Sequence, residues 1–228
     1  MSIDLRTTYL GLELRNPLVA SASPLTGHLE ILRQMEAAGA AAVVMPSLFE
    51  EQFEQEELIV RRLIKSGMDQ SEEVLSELFE LDAYNSGPAN YLAQIQQAKK
   101  ALSIPVIASL NGWGPGNWAS HAQLLEEAGA DAVELNVYFV PTDPEATGAQ
   151  VEQRYLEIVA DVQEVLTIPV AVKLGPYFSS LPNMARRLAD EVGGEGLVLF
   201  NRYLQPDIAL ETLEVSPRLT LSKGSELP

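Results

Sequence analysis

An α/β architecture, with a parallel sheet under helices, is what this 228-residue chain predicts, on three observations. Apolar runs of four to six residues, rich in Val and Ile, recur without polar alternation, as strands covered on both faces do. The runs are of two kinds, one led by glycine and one by proline, and they alternate with helix-like segments. Their spacing repeats: residues 106 and 133, and again 170 and 197, stand 27 apart, and the two pairs are offset by 64.

The elements follow in order. Asn16-Pro17-Leu18-Val19-Ala20-Ser21 is a proline-led run and predicts a strand near residue 18. Leu29 to Ala38 has amphipathic spacing, and Gly39 stands where a left-handed helix end favours glycine. Ala38-Gly39-Ala40-Ala41-Ala42-Val43-Val44 predicts a strand near 43. Phe49 to Glu80 is long, acidic and helical in pattern, more than a plain crossover needs, which predicts an inserted lid or interface segment around 49–80. Tyr91 to Leu102 reads as helix, and Ile104-Pro105-Val106-Ile107-Ala108-Ser109 as a strand near 106. Ala119 to Ala128, closed by Gly129, is the next helix, and the run to Asn136 predicts a strand near 133. Ile168-Pro169-Val170-Ala171-Val172-Lys173 and Gly193 to Asn201 predict strands near 170 and 197. Beyond them Pro206 to Leu213 reads as a helix and Val215 to Leu221 as one strand of a hairpin.

Strand and helix in steady alternation leave two architectures, a (β/α)8 barrel or an open doubly wound sheet. The absence of a Gly-rich dinucleotide turn after the first strand favours the barrel. Eight strands close such a barrel and six are found; two further units need roughly 60 residues. The expectation is therefore a single domain over 1–228 containing about six of eight βα units, a barrel cut short. The alternative is an open six-stranded sheet complete in itself.

Composition narrows the function. The chain is 46% hydrophobic and carries 32 Asp plus Glu against 15 Lys plus Arg, a formal charge of −17. Such a field repels nucleic acid and anionic lipid. There is no cysteine, which excludes disulfides, thiolate metal sites and a Cys nucleophile. The start lacks a basic stretch followed by an apolar run, and no window approaches the ~20 apolar residues that span a bilayer. A soluble cytoplasmic protein is expected.

In parallel α/β proteins ligands sit at the carboxyl ends of the strands. The polar residues ending the apolar runs are Ser21 or Ser23, Ser47, Asn111, Asn136, Lys173 and Asn201. Amides both donate and accept in a plane, which suits a flat heterocycle of alternating N–H and C=O groups. Lys173 supplies a cation for an anion, or for charge developing on a bound ring. A strand-end Asn also caps helices and turns the chain, so each amide alone is ambiguous. The paired acids Glu50-Glu51, Glu56-Glu57, Glu72-Glu73 and Glu126-Glu127 read as solvated helix faces. His28 and His121 read as structural or surface residues, and no metal-ligand spacing joins them. Asn111-Gly112-Trp113-Gly114-Pro115-Gly116 matches no phosphate-binding pattern and reads as a loop over the strand ends.

Four motifs carry a resemblance: Leu10-Gly11-Leu12 through Asn16-Pro17 to Ser21-Ala22-Ser23; Asn85-Ser86-Gly87-Pro88; Glu134-Leu135-Asn136; and Val172-Lys173-Leu174-Gly175-Pro176-Tyr177-Phe178. As a set they resemble the dihydroorotate dehydrogenase family of FMN-dependent (β/α)8 barrels, over most of the chain. The resemblance implies FMN as cofactor, with Ser21, Ser47, Asn111, Asn136 and Lys173 around it and Lys173 near flavin N1 and the C2 carbonyl. It implies a small-molecule substrate held by Asn85, Asn136 and Asn201, and oxidation of dihydroorotate to orotate in pyrimidine biosynthesis. No metal, nucleic acid or membrane partner is implied, and a homodimer is left open.

The chain also departs from the family. Asn136 is followed by Val137-Tyr138-Phe139-Val140-Pro141, where the family continues to the Cys or Ser that removes the C5 proton. Tyr138 is the nearest proton-transfer candidate, and a phenol of pKa about 10 needs strong perturbation to act as a base. Met45-Pro46-Ser47 replaces a strand-two Lys motif. The family's phosphate-gripping loops follow strands seven and eight, which the count places past residue 228. Two alternatives remain: a dehydrogenase-like flavoprotein acting on another planar substrate, and a truncated barrel without catalytic activity.

Overall fold

The computed structural model describes residues 3–50, 52, 87–112, 117–137, 141–201, 207–209 and 214–216. Strands β1 (Thr7–Tyr9) and β2 (Leu12–Leu14) form an antiparallel hairpin whose register pairs Tyr9 with Leu12. The two linking residues both lie at positive φ, Leu10 at 54° and Gly11 at 69°. That combination marks the turn whose twist matches a hairpin, and it strains a leucine. The strain is offset by packing: Leu10 is 6% exposed and lies in one apolar cluster with Leu14, Ala42, Val44, Ile107, Ala132 and Ala171. The hairpin therefore plugs the concave side of the main sheet.

That sheet has six strands: β3 (Val19–Ala20), β4 (Ala42–Phe49), β5 (Val106–Gly112), β6 (Ala132–Val137), β7 (Val170–Leu174) and β8 (Gly196–Leu199). All neighbours are parallel, and the spatial order β3-β4-β5-β6-β7-β8 is the chain order. A doubly wound sheet reverses direction at a switch point. This one does not reverse: it is a curled parallel sheet, a partial barrel. The six expected strands all occur.

Helices α1 (Leu29–Ala37), α2 (Pro88–Ala101), α3 (Trp118–Glu127), α4 (Gly148–Val165) and α5 (Leu181–Asp190) precede β4, β5, β6, β7 and β8 in turn. Alternation along each strand separates two cores. Val43, Val106, Ala108, Leu110, Val133, Leu135, Val170, Val172 and Leu174 pack with helix residues such as Leu32, Ile95, Leu125, Val159 and Leu188. Ala42, Val44, Ile107, Ala132 and Ala171 face the hairpin. Each face is filled, which is why the runs read as continuously apolar.

The repeat seen in the spacing is also built in hydrogen bonds. The Asp131 carboxylate accepts from Lys99 Nζ at 2.7 Å to each oxygen and from Val106 N–H at 2.7 Å. Sixty-four residues on, Glu195 accepts from Gln163 Nε2 at 2.7 Å and from Val170 N–H at 2.8 Å. Likewise Glu36 accepts from Ser103 N–H at 2.9 Å and from its hydroxyl, and Glu126 accepts from Thr167 in the same way. Carboxylates thus pin the starts of β5 and β7, two of the three proline-led strands.

Two expectations are corrected. Residues 207–209, expected within a helix, form β9 (Asp207–Ala209), antiparallel to β10 (Glu214–Ser216), with Ile208 opposite Val215. β-branched residues favour that extended pairing over helix. Glu50, expected on a solvated face, is 8% exposed. β4 runs on through Pro46 because a register irregularity between Val44 and Ser47 accommodates a residue with no N–H. The expected insertion around 49–80 lies, apart from residues 49, 50 and 52, outside the described residues.

Candidate functional site

Because side chains alternate, the polar residues of β5, β6 and β7 fall on the same concave face as Ala132 and Ala171. Register aligns them: Asn111 stands opposite Asn136, and Asn136 opposite Lys173. Two amides and an ammonium thus form one row across the carboxyl ends of three neighbouring strands. Asn201, just past β8, donates from Nδ2 to Asn136 Oδ1 at 2.6 Å, and its N–H donates to Leu174 O at 2.6 Å. This bond leaves Asn136 its Nδ2 donor and Asn201 its Oδ1 acceptor for a ligand.

Ser47 lies in register with Ser109, their hydroxyls 2.8 Å apart. Beside the β4 irregularity the Tyr91 hydroxyl accepts from Ser109 N–H at 3.0 Å and donates to Ser109 O at 3.3 Å. Burial pushes that phenol's pKa up, so it serves as a neutral brace under the row. Ser21 lies just past β3 and is exposed. It lines a cavity of about 430 Å³, together with Thr7, Tyr9, Val44, Glu134 and Val198. Asn85, Trp113 and Tyr138 lie outside the described residues.

Glu134 also faces the row, though no sequence expectation marks it as a site residue. It sits two residues before Asn136 on the same face and is 3% exposed. Across the six strands of the sheet it is the one carboxylate, and Lys173 the one cation. They meet on adjacent strands, Lys173 Nζ donating to Glu134 Oε1 at 3.5 Å. Burial raises the Glu134 pKa, and the Lys173 charge and hydrogen bond partly oppose that rise. The signal available in the sequence was a lone acid inside an otherwise apolar strand. His121 is buried on α3, where loss of hydration lowers its pKa. Among the described residues no cluster of three His, Asp or Glu is placed to hold a metal. No helix among them is long and apolar enough to cross a membrane.

No family model matches the chain. Curated proteins do. The chain is 38% identical over 122 residues to an Aeropyrum pernix protein named as a dihydroorotate dehydrogenase A (fumarate), a match spanning 51% of this chain and 38% of that one. It is 29% identical to the catalytic subunit of dihydroorotate dehydrogenase B (NAD(+)) of Methanosarcina acetivorans, covering 89% of this chain and 62% of the relative. The same subunit of Methanothermobacter thermautotrophicus is 26% identical, covering 98% and 70%. The chain thus spans between about two fifths and two thirds of the length of the first two relatives. Among solved structures, a dihydrodipicolinate synthase of Agrobacterium tumefaciens superposes with a TM-score of 0.50 at 17% identity, covering 79% of this chain and 52% of that one. That likeness concerns the fold alone. Curated dihydroorotate dehydrogenases thus match the chain at modest identity over most of its length, which supports a dihydroorotate dehydrogenase-like family member.

Proposed function

We propose that the chain is an FMN-dependent oxidoreductase of the dihydroorotate dehydrogenase type, built on a (β/α)8-type barrel and oxidising dihydroorotate to orotate in cytoplasmic pyrimidine synthesis. The observation that carries this is the row Asn111, Asn136 and Lys173, in register at the strand ends of a chain related to those enzymes. The donor set fits a flavin ring. Lys173 would offer an ammonium to the electron-rich edge of the ring, the amides of Asn111 and Asn136 would match alternating N–H and C=O groups, and the Ser47–Ser109 hydroxyls adjoin them.

The chemistry supplied by the bound cofactor is acceptance of a hydride from C6 of the substrate. Lys173 would hold positive charge beside a reduced ring. Asn136 and Asn201, already bonded to each other, present a donor and an acceptor to the planar carboxylated substrate, with Asn85 as a third contact. Loss of the C5 proton requires a base, and the chain has no cysteine and places Val137 directly after Asn136. Tyr138 is the candidate for that role.

The same departure supports a second reading: a flavoprotein of this family acting on another planar substrate. Anaerobic mixing of the FMN-loaded chain with dihydroorotate separates the two. Bleaching of the flavin band with orotate formed supports the first. Bound FMN that stays oxidised with dihydroorotate but is reduced by another cyclic enone precursor supports the second. Failure to bind FMN overturns both.

A further inference from the structure

We propose that Glu134 is the proton-storing counter-ion of Lys173: a ligand that draws the Lys173 ammonium toward the strand ends makes the Glu134 carboxylate take up one proton from solvent. The choice of FMN as the ligand rests on the flavin reading above. The proton linkage itself rests on the arrangement of the two side chains.

These two residues are the only charges in the six-stranded sheet, they are of opposite sign, and they share its concave face. Their contact is single and long, 3.5 Å. Lys99 and Asp131 show what a tight pair looks like in the same fold, with 2.7 Å to both oxygens. Lys173 is therefore loosely held, on a flexible four-carbon stem, opposite Asn136 where a ligand would lie. Glu134 has nowhere to go: its side chain is 4% exposed, against 16% for Lys173. A buried carboxylate that loses its partner neutralises by protonation rather than remaining charged. Burial already raises its pKa even with Lys173 alongside.

The other titratable groups facing Glu134 do not replace Lys173. Tyr9, from β1, and Tyr91, from α2, both have phenol pKa values raised by burial and by the Glu134 charge, so both stay neutral near pH 7. The proton has a path, since Glu134 lines the 430 Å³ cavity beside Thr7, Thr8 and Tyr9. The step balances simply: one carboxylate and one solvent proton become one carboxylic acid, while the lysine keeps its charge and changes partner.

Uptake on binding means affinity falls as pH rises. It is flat below the pKa of the free carboxyl, falls by up to tenfold per pH unit above it, and is flat again beyond the pKa of the bound form. The test is calorimetric titration of the 228-residue chain with FMN in buffers of different ionisation enthalpy, near neutral pH, comparing wild type with Glu134→Gln. The difference removes protons bound by the phosphate of FMN itself. Close to one additional proton per FMN in the wild type, with a pH-flat affinity increment in Glu134→Gln, is expected. No difference in proton count overturns the proposal. A ligand-free arm decides it even where FMN fails to bind: infrared difference spectra of Lys173→Met should show a protonated carboxyl at neutral pH that Glu134→Gln/Lys173→Met lacks. An ionised Glu134 in Lys173→Met also overturns it.

Discussion

Replacing Lys173 by methionine keeps most of the side-chain volume and removes the one cation of the sheet, leaving Glu134 buried without a counter-charge. Breaking a buried pair from one side costs about 3–5 kcal/mol when the remaining charge is forced to stay. Here the carboxyl has an exit through protonation, so the cost depends on pH. In the variant the folded carboxyl titrates above its unfolded value of 4.5. An acid whose pKa is raised by folding does no harm below the unfolded pKa. Its penalty then grows by about 1.4 kcal/mol per pH unit until the folded pKa is reached, and levels off there. Lys173→Met is therefore expected to match wild type closely near pH 5. Near pH 7 it should be ~1–3 kcal/mol less stable, since the wild-type carboxyl is itself raised and carries part of the same penalty, and removal of the acid in Glu134→Gln/Lys173→Met should recover most of that loss. Urea unfolding of the three proteins from pH 5 to pH 8, read by far-UV circular dichroism, gives the comparison. A deficit that does not change with pH, or a double variant no better than the single one, would mean that Glu134 is not what the loss of Lys173 leaves exposed to titration.

Other outcomes follow from the same structure. Asp131→Ala removes a carboxylate that accepts from Lys99 and from the first N–H of β5, and should cost about 1.5–3 kcal/mol in urea unfolding. A cycle with Lys99→Met should show coupling of about 0.5–1 kcal/mol, since the pair is partly exposed. Gly196→Ala places a Cβ 2.5 Å from Leu10 Cδ2 in the plug beneath the sheet, which should cost about 1–3 kcal/mol. Thermal melts of Gly196→Ala/Leu10→Ala should show a smaller loss than the two singles added, because the shortened side chain makes room. Asn201→Ala frees the Asn136 amide and should weaken orotate binding by roughly tenfold, the order of one net hydrogen bond, measured by equilibrium titration.

The sheet was legible because each strand is covered on both faces, so every run is apolar throughout and ends in a polar residue. Asn111, Asn136, Lys173 and Asn201 stand out against such runs, and register then brings them together. The β1–β2 hairpin was not legible. Its strands have three residues each, and its turn carries Leu10 at a position where Asn or Gly is the usual signal, because that side chain is needed in the plug. Glu134 was hidden for a different reason: its partner lies 39 residues away, and only the register of β6 with β7 makes the pair. Among the pinning carboxylates, Glu126 reads in the sequence as a solvated helix face, since the Thr167 groups it accepts from belong to the segment that enters β7. Ser21 ends an apolar run as the others do; it follows the two-residue β3 and lines the cavity that Glu134 also lines.

The row at the ends of β5, β6 and β7 is proposed to hold a flavin ring. Titration of the chain with FMN, followed by quenching of flavin fluorescence in wild type and in Asn136→Ala, tests it most directly. Saturable one-to-one binding that Asn136→Ala weakens at least tenfold is the predicted result. FMN bound equally by both proteins, or by neither, would contradict it.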